Sequence, residues 1–114
     1  MGVSRREVLM IGVRLSGEEY EQAGGFETFE KYDVDFKNAN QGNCILYDGM
    51  NGKYAIVGLL IYASDDMRFG DNEGFPLLEI KDIDKITSAF IKQFVKEKFN
   101  IEREVAHYIV SHFY

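Results

Sequence analysis

The chain has 114 residues, of which 46% are hydrophobic and 28% are charged. This length and composition are typical of one folded domain with its own core, so we expect a single domain over residues 1–114. The formal net charge of −6 repels phosphates, which argues against nucleic acid as a direct ligand. It would attract a basic protein instead.

Cys44 is the only cysteine, which excludes an internal disulfide and suits a reducing compartment. Arg5 and Arg6 are followed by only a short apolar run, so a twin-arginine export signal is not expected. No apolar run in the sequence approaches the length of a membrane span. These features predict a cytoplasmic protein that makes no membrane contact.

The first predicted element is a strand over residues 7–15, in which alternate side chains are apolar: Leu9, Ile11, Val13 and Leu15. A capping-box pattern follows, in which the side chains of Ser16 and Glu19 satisfy backbone N–H groups at a helix N-terminus. The pattern predicts a short helix over 17–23 that ends at Gly24.

The segment from Glu18 to Asp35 carries seven carboxylates and one lysine, interleaved with aromatic residues. Its secondary structure is ambiguous, because the aromatic residues fit a helical spacing up to Tyr32 and an alternating spacing from there to Phe36. We predict one or two helical turns and then a short edge strand over 32–36. A solvated acidic face and a surface that docks on a basic partner are the alternatives for this segment.

Residues 43–63 predict a β-hairpin. Two β-rich apolar runs flank a turn that contains Asp48-Gly49 and Asn51-Gly52, and these dipeptides supply the positive φ values of tight turns. In the second run, residues 54–63, both alternating faces are apolar. Such a strand is central in a sheet covered on both sides. The second face is covered either by residues of this chain or by another chain.

A long connection over 64–80 is rich in acidic residues and holds the only proline. Residues 82–98 then predict the clearest helix, which has an apolar stripe: Ile83, Ile86, Phe90, Ile91, Phe94 and Val95. Asp82 or Asp84 is expected to cap its start, and Asn100 to end it in a left-handed conformation. The β-rich residues 104–114 predict a last strand.

The predicted elements follow the order β-α-β-β-α-β, which is the ferredoxin-like order. We therefore expect a small α+β domain with a mostly antiparallel sheet of four or five strands and one long C-terminal helix. A shared fold carries no function, so function has to be inferred from the side chains.

Few side chains in the sequence suggest chemistry. His107 and His112 lie on opposite faces of a strand and cannot share a metal ion unaided, and Cys44 opens a buried strand where a thiol is unreactive. A nucleophile–base pair between Cys44 and a histidine is the alternative. Neither 65–76 nor 71–82 has the ligand spacing of a calcium loop, and no glycine cluster matches a phosphate loop. We expect no catalytic residue, metal or cofactor.

These features favour a non-catalytic acidic module that docks on a basic protein, such as an inhibitor, immunity or anti-defence protein of bacterial or phage origin. The predicted contact residues are acidic side chains with one arginine and one phenylalanine as anchors: Glu27, Glu30, Asp33, Asp35, Asp65, Asp66, Arg68, Phe69, Asp71 and Glu73.

The alternative hypothesis is a homodimeric small-molecule-binding domain or minor enzyme. The second apolar face of the sheet would be the dimer contact, and a pocket near the 64–80 loop would be lined by Tyr47, Tyr54, Tyr62 and His107. A subunit of a larger assembly would use the same apolar face.

Overall fold

An antiparallel sheet lies at the centre of the protein, whose computed structural model describes residues 4–66 and 77–114. Four strands form this sheet in the order β2-β3-β1-β4: β1 (Arg5–Ser16), β2 (Cys44–Tyr47), β3 (Tyr54–Ala63) and β4 (Ala106–Phe113). Every neighbouring pair is antiparallel. The predicted α+β architecture with an antiparallel sheet is confirmed.

Helices connect the strands across one face of the sheet. The connection from β1 to β2 contains α1 (Gly17–Gln22), α2 (Gly25–Phe29) and a 3-10 turn (Glu30–Tyr32). The connection from β3 to β4 contains the longest helix, α3 (Lys85–Phe99), which has 15 residues. α3 precedes β4, so the predicted long C-terminal helix is not confirmed.

The capping predictions at α1 and α3 are confirmed. At α1 the Glu19 N–H donates to Ser16 Oγ at 3.1 Å, and the Ser16 N–H donates to Glu19 Oε1 at 2.9 Å. At α3 the Thr87 N–H donates to Asp84 Oδ1 at 2.7 Å, and Asn100 ends the helix with a φ of 56°. These residues fix the helix limits, because they satisfy or redirect backbone groups that a helix end leaves unpaired.

The predicted hairpin of β2 and β3 is also confirmed. In its turn the Asp48 carboxylate accepts the N–H of Asn51 at 3.1 Å and the N–H of Lys53 at 3.2 Å. Gly52 has a φ of 64°. A Cβ on Gly17 would collide with the Gly52 carbonyl oxygen, so the turn packs tightly on the start of α1.

The predicted edge strand over 32–36 is wrong. The 3-10 turn Glu30–Tyr32 occupies its start, and one isolated bridge joins Asp33 to Ile45. The Asp35 carboxylate then accepts the N–H two residues further on at 3.0 Å, which closes a turn. A local hydrogen bond from side chain to backbone therefore replaces the ladder that the alternating pattern predicted.

The face of the sheet under the helices holds the larger core cluster: Val13, Leu15, Tyr20, Phe29, Ile45, Ala55, Val57, Ile91, Val95 and Phe99. The predicted apolar stripe of α3 is wrong at Ile86 and Phe90, which are 84% and 53% exposed. The buried row is instead Ile91, Val95 and Phe99, spaced four residues apart along one helix face.

The opposite face of the sheet is buried within a single chain as well. Its cluster has no member more than 3% exposed: Val8, Met10, Cys44, Leu46, Ile56 and Leu60. Val34 and Phe36 pack against this cluster from the segment that follows the 3-10 turn, and Tyr108 and Val110 do so from β4. Part of the acidic segment thus reaches the face that the helices leave open.

Candidate functional site

The acidic segment turns most of its carboxylates to solvent. Six of them are exposed, and we call them the acidic surface: Glu18, Glu21, Glu27, Glu30, Asp33 and Asp35. Tyr20 and Phe29 point inward and are only 2% and 5% exposed. Within residues 4–66 and 77–114, Glu19 is the one carboxylate of this segment that forms an ion pair. The acidic surface is therefore open to a cationic partner.

The predicted contact residues fall into separate groups. Four of them belong to the acidic surface: Glu27, Glu30, Asp33 and Asp35. Asp65 and Asp66 are exposed beyond the end of β3, whereas Asp33 forms its bridge at the edge strand β2. The other four lie outside the described residues: Arg68, Phe69, Asp71 and Glu73. The two described groups therefore lie on different elements of the fold.

A groove of about 670 Å³ separates the acidic segment from α3. Asp33 and Asp35 lie on one wall, and Phe90, Phe94 and Glu97 of α3 lie on the other. This volume is in the range of pockets that hold a drug-sized ligand. The groove combines carboxylates with exposed aromatic area, as a site for a cationic group would.

Side-chain hydrogen bonds fix the shape of the acidic wall. Gln41 Nε2 donates to the carbonyl oxygens of Asp35 at 2.8 Å and Asn38 at 2.7 Å. Gln41 Oε1 accepts the N–H of Asp35 at 2.8 Å. Because these bonds already hold the loop, a ligand would lose little conformational entropy in binding to this wall.

Two rings beside the groove already attract cations of the chain itself. Tyr32 and Phe94 meet edge to face with centroids 4.9 Å apart. The Nζ atoms of Lys31 and Lys98 lie 5.2 Å and 5.5 Å from the Tyr32 centroid. A hydrogen bond from Lys98 lowers the pKa of the Tyr32 hydroxyl. These distances are those of cation–π contacts.

Two oxygen acceptors, on Asn43 and Asp33, belong to residues that line the groove. Asn43 Oδ1 is buried and has no hydrogen-bond partner among the residues that the structure describes. Partial burial raises the pKa of the Asp33 carboxyl. A cation bound in the groove would stabilise the ionised form of Asp33.

The sequence did not predict the α3 side of this groove: Phe90, Gln93, Phe94 and Glu97. A signal was present, because α3 carries two neighbouring apolar rows at four-residue spacing, one through Phe90 and one through Ile91. A helix that packs on one sheet buries only one such row fully. The other row is then available at the surface.

Cys44 and the histidines lie apart. Cys44 is 1% exposed, and burial raises the pKa of its thiol to about 12, so the thiol is unreactive. His107 lines a pocket of about 210 Å³ near the start of α3. His112 packs on the other face of the sheet, against Phe36. In the described ranges, no group of three or more His, Cys, Asp or Glu residues is placed to hold a metal ion.

His112 belongs to an aromatic cluster on the face opposite the helices. The Tyr54 hydroxyl lies 3.1 Å from His112 Nδ1, and the Arg6 guanidinium carbon lies 4.9 Å from the Phe36 centroid. Burial lowers the pKa of His112 and raises the pKa of Tyr54 to about 12. Both groups are therefore neutral near pH 7, as suits a packed pair.

The alternative hypothesis predicts a pocket near the 64–80 loop, of which residues 67–76 lie outside the described residues. Tyr47 stacks on Tyr20 with centroids 4.5 Å apart, whereas Tyr54 bonds to His112. His107 lines the small pocket near α3. Three of the predicted lining residues thus lie in three different places.

Arg103 ties the acidic segment to the loop before β4. It donates to both carboxylate oxygens of Glu19, at 2.8 Å and 2.6 Å, and to the Arg14 carbonyl oxygen at 3.1 Å. The hydrogen bonds from Arg103 and the Ser16 N–H lower the pKa of Glu19 to about 2. Glu19 therefore takes part in both the helix cap and the ion pair.

We expect this pair to make stability depend on pH. The folded-state pKa of Glu19 is about 2 against an ordinary 4.5, so its stabilising effect is complete above pH 4.5 and is lost as the pH falls towards 2. Glu19→Gln keeps a side chain that can complete the capping box, and should cost about 1 kcal/mol at pH 7 because the pair is partly exposed. Urea denaturation at both pH values measures this cost. A cost that persists undiminished at pH 2 would contradict the assignment.

Comparison with known proteins found no matching family model, no matching curated protein and no matching solved structure. No helix among the described residues is long and apolar enough to cross a membrane. The arrangement of the side chains is therefore the basis for inferring a function.

Proposed function

We propose that the protein is a non-catalytic binding module that docks on a basic partner protein through its acidic surface. The observation that carries this proposal is the orientation of the acidic segment: Tyr20 and Phe29 anchor it in the core, and six carboxylates face solvent. Surface carboxylates steer the encounter with a positively charged protein. In the adjoining groove, Phe90 and Phe94 offer the aromatic contact area that supplies affinity.

The specific form of the proposal is an inhibitor or immunity-type protein of bacterial or phage origin that blocks a basic enzyme, nuclease or defence factor. The net charge of −6 supports it, because an acidic surface can compete for the basic groove of a nucleic-acid-binding protein. The free, buried Cys44 supports a reducing, cytoplasmic location.

We also propose that the fold is ferredoxin-like. Helical connections precede β2 and β4, and the strand order is β2-β3-β1-β4. This order of elements supports the assignment. The assignment has no bearing on the partner, since one fold serves many functions.

Charge reversal on the acidic surface tests the proposed function. A variant with Glu27→Lys, Glu30→Lys, Asp33→Lys and Asp35→Lys should capture partners from a host lysate about 100-fold less well, because like charges across an interface cost several kcal/mol. All four side chains are exposed, so the fold should be retained, with a local change at the turn that the Asp35 carboxylate closes. Quantitative mass spectrometry of captured proteins gives the readout, and circular dichroism checks the fold.

The matched control reverses four exposed acids elsewhere: Glu79, Asp82, Glu102 and Glu104. It changes the net charge equally and should leave capture close to that of the wild type. Unchanged capture by the first variant would contradict the proposed function. An equal loss of capture with both variants would show that capture depends on the net charge and not on this surface.

A small pocket supports the alternative function, a ligand-binding domain or minor enzyme. It has a volume of about 210 Å³ and is lined by Leu9, Ile11, Ile61 and His107, together with residues 79–84 at the end of the long connection. This volume is below the usual range for drug-sized ligands, so only a small molecule would fit. Homodimerisation through the sheet stays a prediction of this alternative.

A further inference from the structure

We propose that the groove between residues 31–43 and α3 receives an arginine side chain of the basic partner. This inference rests on the proposed function and names the chemical group that the partner places in the groove. Carboxylates of Asp33 and Asp35 lie on one wall, and the ring of Phe94 lies on the other. A guanidinium suits both walls, because it is planar, stacks on aromatic faces and donates to carboxylates in pairs.

Cationic side chains already lie beside these rings in the free protein. Lys98 Nζ lies 5.5 Å from the Tyr32 centroid and 6.0 Å from the Phe94 centroid, and Lys31 Nζ lies 5.2 Å from Tyr32. Both lysines are exposed, so a cation from a partner can displace them at low cost. A guanidinium binds an aromatic ring more favourably than an ammonium does, since its flat face can lie against the ring.

The acceptors in the groove also fit a group with many donors. Partial desolvation raises the pKa of the Asp33 carboxyl, so a cation beside it would stabilise the ionised form. Glu97 adds a third carboxylate from α3. A guanidinium carries five N–H groups, so it can satisfy several of these acceptors at once, whereas an ammonium has three donors.

Other occupants fit less well. A neutral segment would desolvate the carboxylates without pairing them, which is costly. A divalent metal ion lacks a ligand set, since no group of three or more His, Cys, Asp or Glu in the described ranges is placed to hold one. The volume of about 670 Å³ exceeds what one side chain needs, so the groove leaves room for residues beside the arginine.

Two synthetic peptides of equal charge, hexa-arginine and hexa-lysine, test the inference. We expect the full chain at low salt to bind hexa-arginine roughly threefold or more tightly than hexa-lysine in calorimetric titrations. In ¹⁵N-labelled protein, the largest shift changes on adding hexa-arginine should fall in residues 31–43 and on the groove side of α3.

Variants of the groove sharpen the test. Phe94→Leu should weaken hexa-arginine binding about fivefold and change hexa-lysine binding less, because it removes the ring but keeps an apolar side chain. The matched control is Phe26→Leu, which removes an exposed ring that does not line this groove.

The outcomes separate this inference from the proposed function. Hexa-arginine that binds with shift changes confined to α1 and α2 would overturn the groove assignment and leave the acidic surface as the docking site. Equal affinity for the two peptides would overturn the preference for arginine. If neither peptide binds at low salt, both this inference and the proposed function are overturned.

Discussion

Replacing Tyr20 with alanine is expected to lower the free energy of unfolding by about 3–5 kcal/mol. Tyr20 is 2% exposed, and its ring lies 4.5 Å from Tyr47, 5.9 Å from Phe29 and 6.5 Å from Phe99, centroid to centroid. Alanine would leave a cavity where both helical connections meet the sheet. Urea denaturation followed by circular dichroism measures the change.

Tyr20→Phe is the matched control for the ring. Burial raises the pKa of the Tyr20 hydroxyl to about 12, so the side chain is neutral in either residue at ordinary pH. Phenylalanine keeps the ring contacts, and the expected change is below about 1 kcal/mol. If Tyr20→Ala is as stable as the wild type, this ring does not anchor the acidic segment, and the outward display of carboxylates needs another cause.

Caps and turns were predictable because a few neighbouring residues decide them. The Ser16 cap, the Asp84 cap and the left-handed Asn100 each depend on one side chain or one backbone conformation. The strand predicted over 32–36 does not form, and the cause is again a single side chain. Its alternating pattern was real, but the Asp35 side chain closes a turn before a ladder can extend.

The candidate site was predictable on one side only. Its acidic wall is continuous in the sequence, so charge bias alone marks Asp33 and Asp35. Its aromatic wall comes from α3, where the sequence predicts Phe90 and Phe94 in the core. Which apolar row of α3 is buried depends on how the helix sits on the sheet, and no local pattern contains that information.

The cover of the second sheet face was likewise undecided by the sequence. Alternation along 54–63 shows that both faces need cover, but it does not say which residues provide it. In the structure, Phe36 reaches this face only because the chain turns after the 3-10 helix and passes the edge of β2. That path depends on the turn at Asp35, which the alternating pattern of residues 32–36 does not predict.

Leu46→Ala is expected to lower the free energy of unfolding by about 2–5 kcal/mol, by the same amount at every protein concentration. Leu46 is 0% exposed in a single chain and belongs to the cluster against which Val34 and Phe36 pack. The cavity therefore opens inside one chain. Urea denaturation at protein concentrations about a hundredfold apart provides the measurement, since only a coupled dimer has a midpoint that rises with concentration.

Ile86→Ala is the control, because it deletes an aliphatic side chain that is 84% exposed and should change stability by less than about 0.5 kcal/mol. A wild-type midpoint that rises with concentration would mean that a second chain contributes to the stability of the fold. If, in addition, Leu46→Ala abolishes that concentration dependence, the second sheet face is a dimer contact. The homodimeric alternative would then replace a monomeric module that docks on a basic partner.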